Sequence, residues 1–104
     1  MANAFEIVSK LGKKISVSDE RWFMISNYKH PIMKGKEREI QDTLKNPDEI
    51  RKSKTDSNVF LYHKFYGWGA VSAIVKHLNG EGFIITAYTT TSIKEGEVIW
   101  KKSE

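Results

Sequence analysis

Hydroxyl-bearing and cationic side chains recur between residues 58 and 90: Tyr62 and Lys64, then His77, then Thr86, Tyr88 and Thr90. Arg51, Lys52 and Lys54 lie just upstream, and His30 stands immediately before Pro31. An imidazole titrates nearest to neutrality of all side chains and can pass a proton. An ammonium neutralises phosphate charge, and hydroxyls donate to developing oxyanions. Such a set suits cleavage of a ribose phosphodiester without a metal. The 2′-hydroxyl attacks the adjacent phosphate, a base takes its proton, an acid protonates the leaving 5′-oxygen, and cations stabilise the phosphorane. In that scheme His30 transfers the proton, Lys64 supplies the charge, and Thr86 and Tyr88 donate hydrogen bonds. Arg51, Lys52, Lys54, Tyr62 and Thr90 would hold the RNA, with Tyr62 or Tyr88 also able to stack on a base.

Each residue also has an ordinary explanation. Threonine and tyrosine are favoured in strands for propensity alone. Lys64 can be a solvated lysine, His30 a helix-end residue, and His77 an exposed residue beside a turn. His63 falls among apolar neighbours. Trp68 reads as a core residue folded back from a turn rather than as a stacking platform. Metal chemistry fits less well. Residues 57–80 and 82–94 contain neither Asp nor Glu, and His30, His63 and His77 lack metal-ligand spacing. The sequence therefore implies no metal and no cofactor, and it carries no phosphate-loop, nucleophile-elbow or dinucleotide motif.

Three antiparallel strands should position these groups. Asn58–Phe65, Ala70–Leu78 and Phe83–Thr90 are rich in aromatic and β-branched residues and are separated by Gly-bearing turns. Simple hairpin pairing sets Phe60 opposite Val75, Tyr62 opposite Ala73 and Lys64 opposite Val71. It then sets Val75 opposite Thr86, Ala73 opposite Tyr88 and Val71 opposite Thr90. Because side chains alternate, Leu61, Ile74 and Ile85 should lie under the helices. Tyr62, Lys64, His77, Thr86, Tyr88 and Thr90 should share the free face.

Residues 5–17 read as a short hairpin around Gly12. Ser18, with Asp19 and Glu20 behind it, starts a helix running to about Tyr28 and stopped before Pro31. A second, highly charged helix spans 36–45, with Ile40 and Leu44 on its apolar stripe. Asp48–Lys54 reads as a short basic strand, and residues 97–100 as a last strand. The order predicts an α+β domain: an N-terminal β-hairpin, then two helices packed on one face of a mainly antiparallel four- to five-stranded sheet. At 104 residues it forms one domain, 1–104. The absence of cysteine excludes disulfides and suits a cytoplasmic protein. The longest apolar run is too short to span a membrane, so no membrane partner is expected. A net charge of +4 favours a polyanion such as RNA.

Three segments together carry a resemblance: His30-Pro31 with the charged helix ending at Asn46-Pro47-Asp48; Leu61-Tyr62-His63-Lys64; and Phe83-Ile84-Ile85-Thr86-Ala87-Tyr88 with Glu95–Trp100. The chain resembles the small prokaryotic and phage domains of the barnase–EndoU–colicin–RelE-like nuclease superfamily. The resemblance spans about 22–100. It implies two helices against an antiparallel sheet. It also implies an endoribonuclease, often the toxin of a toxin–antitoxin pair or a phage-borne effector, with RNA and a cognate antitoxin as partners. The site it implies falls on His30, Lys64 and Thr86. RelE-like members add basic residues and a tyrosine, for which Lys52, Lys54, Tyr62 and Tyr88 stand available, although this chain has fewer arginines. A non-catalytic RNA- or protein-binding module of the same fold is the alternative.

Overall fold

In the computed structural model, which describes residues 2–93 and 95–103, every strand joins a single mixed sheet. Phe5 and Ile7 alternate with polar residues in β1 (Asn3–Val8), as do Ile15 and Val17 in β2 (Lys14–Ser18). These two strands pair antiparallel, with Phe5 opposite Val17 and Ile7 opposite Ile15. Ser18 then caps α1 (Asp19–Met24), its hydroxyl accepting from the Arg21 amide at 3.1 Å. The helix widens into a π turn, Ile25–Lys29, and a 3-10 turn follows at Pro31–Met33. Next come α2 (Glu37–Lys45), β3 (Glu49–Lys52), β4 (Val59–Tyr66), β5 (Gly69–His77), β6 (Glu81–Thr90) and β7 (Glu97–Lys101).

The seven strands lie in the order β1-β2-β6-β5-β4-β3-β7. This enlarges the expected sheet of four or five strands in two ways. The N-terminal hairpin is not a separate flap: β2 pairs parallel to the start of β6, setting Ile15 beside Gly82 and Ser16 beside Phe83. At the other edge, β7 pairs antiparallel with β3, which itself pairs with β4. A Cβ on Gly82 would run into the backbone carbonyl of Lys76 and the Ile15 side chain, so only glycine lets β2 and β5 close on β6 there.

The first long hairpin has the register read from the sequence, with Phe60 opposite Val75, Tyr62 opposite Ala73 and Lys64 opposite Val71. The second does not. Val75 lies opposite Ile84, yet Ile74 lies opposite Thr86, so Ile85 is an extra residue in β6. This β-bulge reverses the faces of everything beyond it. Ala87 joins the apolar face, while Thr86, Tyr88 and Thr90 turn to the other, beside Ile74, Ser72 and Ala70.

The face covered by the helices is also the reverse of that expected. Trp22, Ile25, Met33, Ile40 and Leu44 pack on Phe5, Ile15, Val17, Ile50, Tyr62, Val71, Ala73, Val75, Ile84 and Ala87. Leu61 is buried on the opposite side, but Ile74 and Ile85 there are only half-buried. The burial of Tyr62 explains why sequence alternation misleads. Its ring fills core volume, and its hydroxyl is satisfied internally by Ser9 at 2.9 Å and His77 at 3.0 Å. A phenol counted as polar is here a core residue.

The face assignment has an energetic consequence. Ile84→Ala, which empties a fully buried position, should destabilise the fold by about 2–5 kcal/mol. Ile74→Ala, on the half-buried side, should cost only about 1 kcal/mol. Urea denaturation of both variants checks this, and equal costs would put Ile74 in the core.

Candidate functional site

The bulge concentrates polar groups on the face away from the helices. That face divides into two halves. Beyond Thr90 the chain must travel from β6 to β7, which pairs with β3 on the far side of β5 and β4. It does so across the uncovered face. Glu95 offers its carbonyl to the Arg51 guanidinium at 3.3 Å, and Gly96 lies against Lys52, Arg51 and Leu61. Beneath this crossing, Leu61, His63 and Ser72 are buried, together with Glu49. Arg51 donates from Nε to Glu49 at 2.7 Å. His63 Nδ1 and Ser72 Oγ are 2.6 Å apart, while Nε2 of His63 is buried without a partner. A cavity of about 170 Å³ remains, lined by Leu61, His63, Tyr88, Thr90, Ser92, Ile93 and Glu95.

The other half of the face is open along β6. Because β2 pairs only with residues 81–83 of β6, the edge from Ile85 onward is left to the helical segment. Two side chains occupy it. Arg21, from the first turn of α1, reaches the carbonyl of Ile85, the bulge residue, at 3.5 Å and lies over the Phe83 ring at 5.9 Å. His30 is fixed by its own backbone. Its amide donates to Ile25 at 2.8 Å, closing the π turn, and its carbonyl accepts from Met33 at 2.8 Å. Its imidazole thereby rests on Tyr88, with ring centroids 5.6 Å apart. Thr86 stands two residues before Tyr88 on the same face, and its Oγ1 is shielded from solvent with no hydrogen-bond partner. Burial, helped by the Glu95 carboxylate, raises the Tyr88 phenol above its ordinary value, so it stays protonated and able to donate.

The residues expected to act together are therefore split. His30, Thr86 and Tyr88 gather at one edge, and Thr90 lies on the same face. Its hydroxyl donates to the Ser92 carbonyl at 2.8 Å and accepts from the Ser92 amide at 3.2 Å. Lys64 lies on the helix side instead. It donates to the Asn46 carbonyl at 2.9 Å, at the end of α2, and pairs with Asp42 at 3.5 Å. It thus satisfies a helix C-terminus rather than facing Thr86. Tyr62 is fully buried, so it presents no ring to a base. Arg51 is on the uncovered face but committed to Glu49, Lys52 projects to the helix side opposite Phe60, and Lys54 is exposed in the turn before β4. These three do not form one cationic groove. Of the lysines flanking the first hairpin, Lys10 lies over the Trp100 ring and Lys14 faces Glu6.

His63 is buried, as its apolar neighbours suggested, but the expectation for His77 changes. His77 is not idle at the surface. It is buried, stacked on Phe60 at 4.0 Å and bonded to Tyr62. Trp68 does not fold back into the core; it is exposed and stacked parallel on Tyr66 at 5.5 Å. Arg21 is the edge residue that sequence reasoning passed over. Its type and its place in the first turn of a helix signalled nothing, because only the bulge brings it to the site. Comparison with known proteins adds nothing further: no family model, curated protein or solved structure matches the chain.

Burial depresses His63 to about 4, with Glu49 opposing and Arg51 reinforcing the shift, and burial with Lys13 depresses His77 to about 4. Both native imidazoles are neutral at pH 7, whereas in the unfolded chain they gain protons near their ordinary value of 6.5. The unfolded state thus binds more protons between these limits, and stability falls as pH falls. The contribution is fully present above about pH 6.5 and is lost as pH drops to about 4. Urea midpoints between pH 7 and 4 should show a combined loss of about a few kcal/mol. Imidazole NMR signals from His63 and His77 should stay unprotonated until the acid end of that range. A flat stability profile would mean that neither ring is held neutral.

Proposed function

We propose that the chain is a metal-independent endoribonuclease whose reacting centre lies along the free edge of β6. The observation that carries this reading is the His30 imidazole held against Tyr88, with Arg21 reaching the Ile85 carbonyl three residues earlier on the same strand and the unsatisfied Thr86 hydroxyl between them in sequence. A proton-transfer group and a protonated phenol are in contact there, and a guanidinium lies farther along the same strand. His30 takes the proton from the 2′-hydroxyl as its oxygen attacks the neighbouring phosphate. Arg21, always charged and able to bind phosphate through two N–H groups, holds the non-bridging oxygens as the phosphorane forms. Tyr88, in contact with His30, gives its proton to the departing 5′-oxygen, and the proton taken up by His30 then restores the phenol. Thr86, screened from solvent, acts on the placement of Tyr88 rather than on RNA directly. Arg21 replaces Lys64 in the role of the cation.

The resemblance to RelE-like and related nucleases supports the same reading and extends it. A small cytoplasmic RNase of this kind acts as a toxin or phage-borne effector and needs a cognate antitoxin to restrain it. A second reading, a non-catalytic RNA- or protein-binding module, draws support from the edge itself. It holds a single imidazole, the other two being buried.

Purified protein incubated with RNA in EDTA should produce 2′,3′-cyclic ends. His30→Ala should lower the single-turnover rate about 10²–10⁴-fold, and Arg21→Ala about 10²–10³-fold. Thr86→Ala should have a smaller effect than either. Lys64→Ala should leave the rate within a few-fold while costing about 1–2 kcal/mol of stability, from a partly buried ion pair and a hydrogen bond to the helix end. RNA binding without cleavage would select the binding module. Full activity in folded His30→Ala would remove the site from this edge.

A further inference from the structure

The β4–β5 hairpin ends in an aromatic surface that the fold does not use. Phe65, Tyr66 and Trp68 are 44%, 40% and 55% exposed, although burying such rings is among the largest gains a small domain can make. The Tyr66 and Trp68 planes are within 1° of parallel at a centroid distance of 5.5 Å, an offset stack that presents flat faces. Beside it lies a cavity of about 260 Å³, walled by Phe65 and Tyr66 on one side and by Thr90, Thr91, Ser92 and Ile93 on the other. Its floor is Gly69 and Ala70.

The mounting is firm. Gly69 has φ +149 and lies so close to the Thr90 carbonyl that a Cβ would collide with it. The hairpin tip is thus seated directly on the end of β6. On its other flank Phe65 borders a second cleft with Lys101, Lys102 and Asp48. Aromatic faces, hydroxyl groups and exposed lysines around one tip match the chemistry of single-stranded nucleic acid. Bases stack on the rings, and phosphates meet the cations.

We infer that this tip is a base-stacking subsite for single-stranded RNA, seated next to the reacting edge. The inference rests on the nuclease reading. Thr90 links the two places: it lines the cavity and follows Tyr88 by two residues on the same face. Two residues of strand advance roughly 7 Å, a step that the adjoining nucleotide of a bound strand can take. The nucleotide beside the cleaved phosphate then places its base in the cavity against Phe65 and Tyr66, and the next base meets Trp68. Selection is for unpaired RNA, because a base held in a duplex cannot offer its face to the cavity.

The test measures binding apart from cleavage. A short 2′-O-methyl oligonucleotide, which lacks the attacking hydroxyl, is titrated into wild type, Trp68→Ala, Tyr66→Ala, Trp68→Phe and Arg21→Ala. Each variant is first checked for an unchanged melting profile. Trp68→Ala and Tyr66→Ala should weaken binding about 5- to 150-fold, the range for loss of one base–aromatic stack. Trp68→Phe should retain most of the affinity, and a duplex of the same sequence should compete poorly. If Arg21→Ala weakens binding but Trp68→Ala and Tyr66→Ala stay within twofold of wild type, the tip is not a subsite and the nuclease reading stands. If the wild type does not bind the oligonucleotide at all, both readings fall. If Trp68→Ala breaks a dimer seen by sedimentation and leaves RNA affinity unchanged, the patch is a contact between copies and the inference is wrong.

Discussion

One extra residue in β6 governs the arrangement of this molecule. With Ile85 inserted between the positions opposite Val75 and Ile74, the strand keeps Ile84 in the core and still delivers Ala87 to it. Thr86, Tyr88 and Thr90 are re-aimed away from the helices as a result. The carbonyl of the inserted residue is the one that Arg21 reaches. The bulge sits where β2 has ceased to pair with β6, so the strand is free to bend there. Without it, the three hydroxyl residues would turn toward the apolar layer on the helix-covered face, and the polar edge would not exist.

The elements themselves were legible because each has a local cause. Ser18 followed by two acids marks the start of α1, Ile40 and Leu44 mark the buried stripe of α2, and Gly-bearing turns delimit β4, β5 and β6. The β4–β5 register followed from its turn alone. Other features depend on distant partners and leave no local trace. The parallel seam between β2 and β6 joins residues more than sixty apart in sequence. The bulge has no composition signal, since Ile84, Ile85 and Thr86 are all ordinary strand residues. The inverted faces came from counting Tyr62 and His77 as polar, when each satisfies the other inside the core.

The grouping of the candidate site's residues was half legible for the same reason. His30 and Tyr88 meet as their types suggested, because a π turn and a proline fix His30 at the sheet edge. Lys64 was misread because alternation reports a face, whereas the partner it meets depends on where α2 ends. Asn46 terminates that helix directly above Lys64, and the ammonium satisfies the orphaned carbonyl. Arg51 was spent in a similar way, on the buried Glu49 carboxylate. An unpaired carboxylate there would be far more costly than the loss of a surface cation.

The crossing between β6 and β7 also orders the events of folding. β3 is held between β4 and β7, and its central residue, Ile50, is fully buried with Trp100 as its cross-strand neighbour. On a ribosome, the hairpins β4–β5 and β5–β6 can zip as soon as Thr90 is free, because their contacts are local. The flank carrying Ile50 cannot be sealed until residues 97–101 have been made. His63 and Glu49 likewise stay wet until the chain passes over them. A nascent chain would therefore hold its polar β6 edge before its far flank is complete, and the pairing of β7 with β3 would close that flank afterwards.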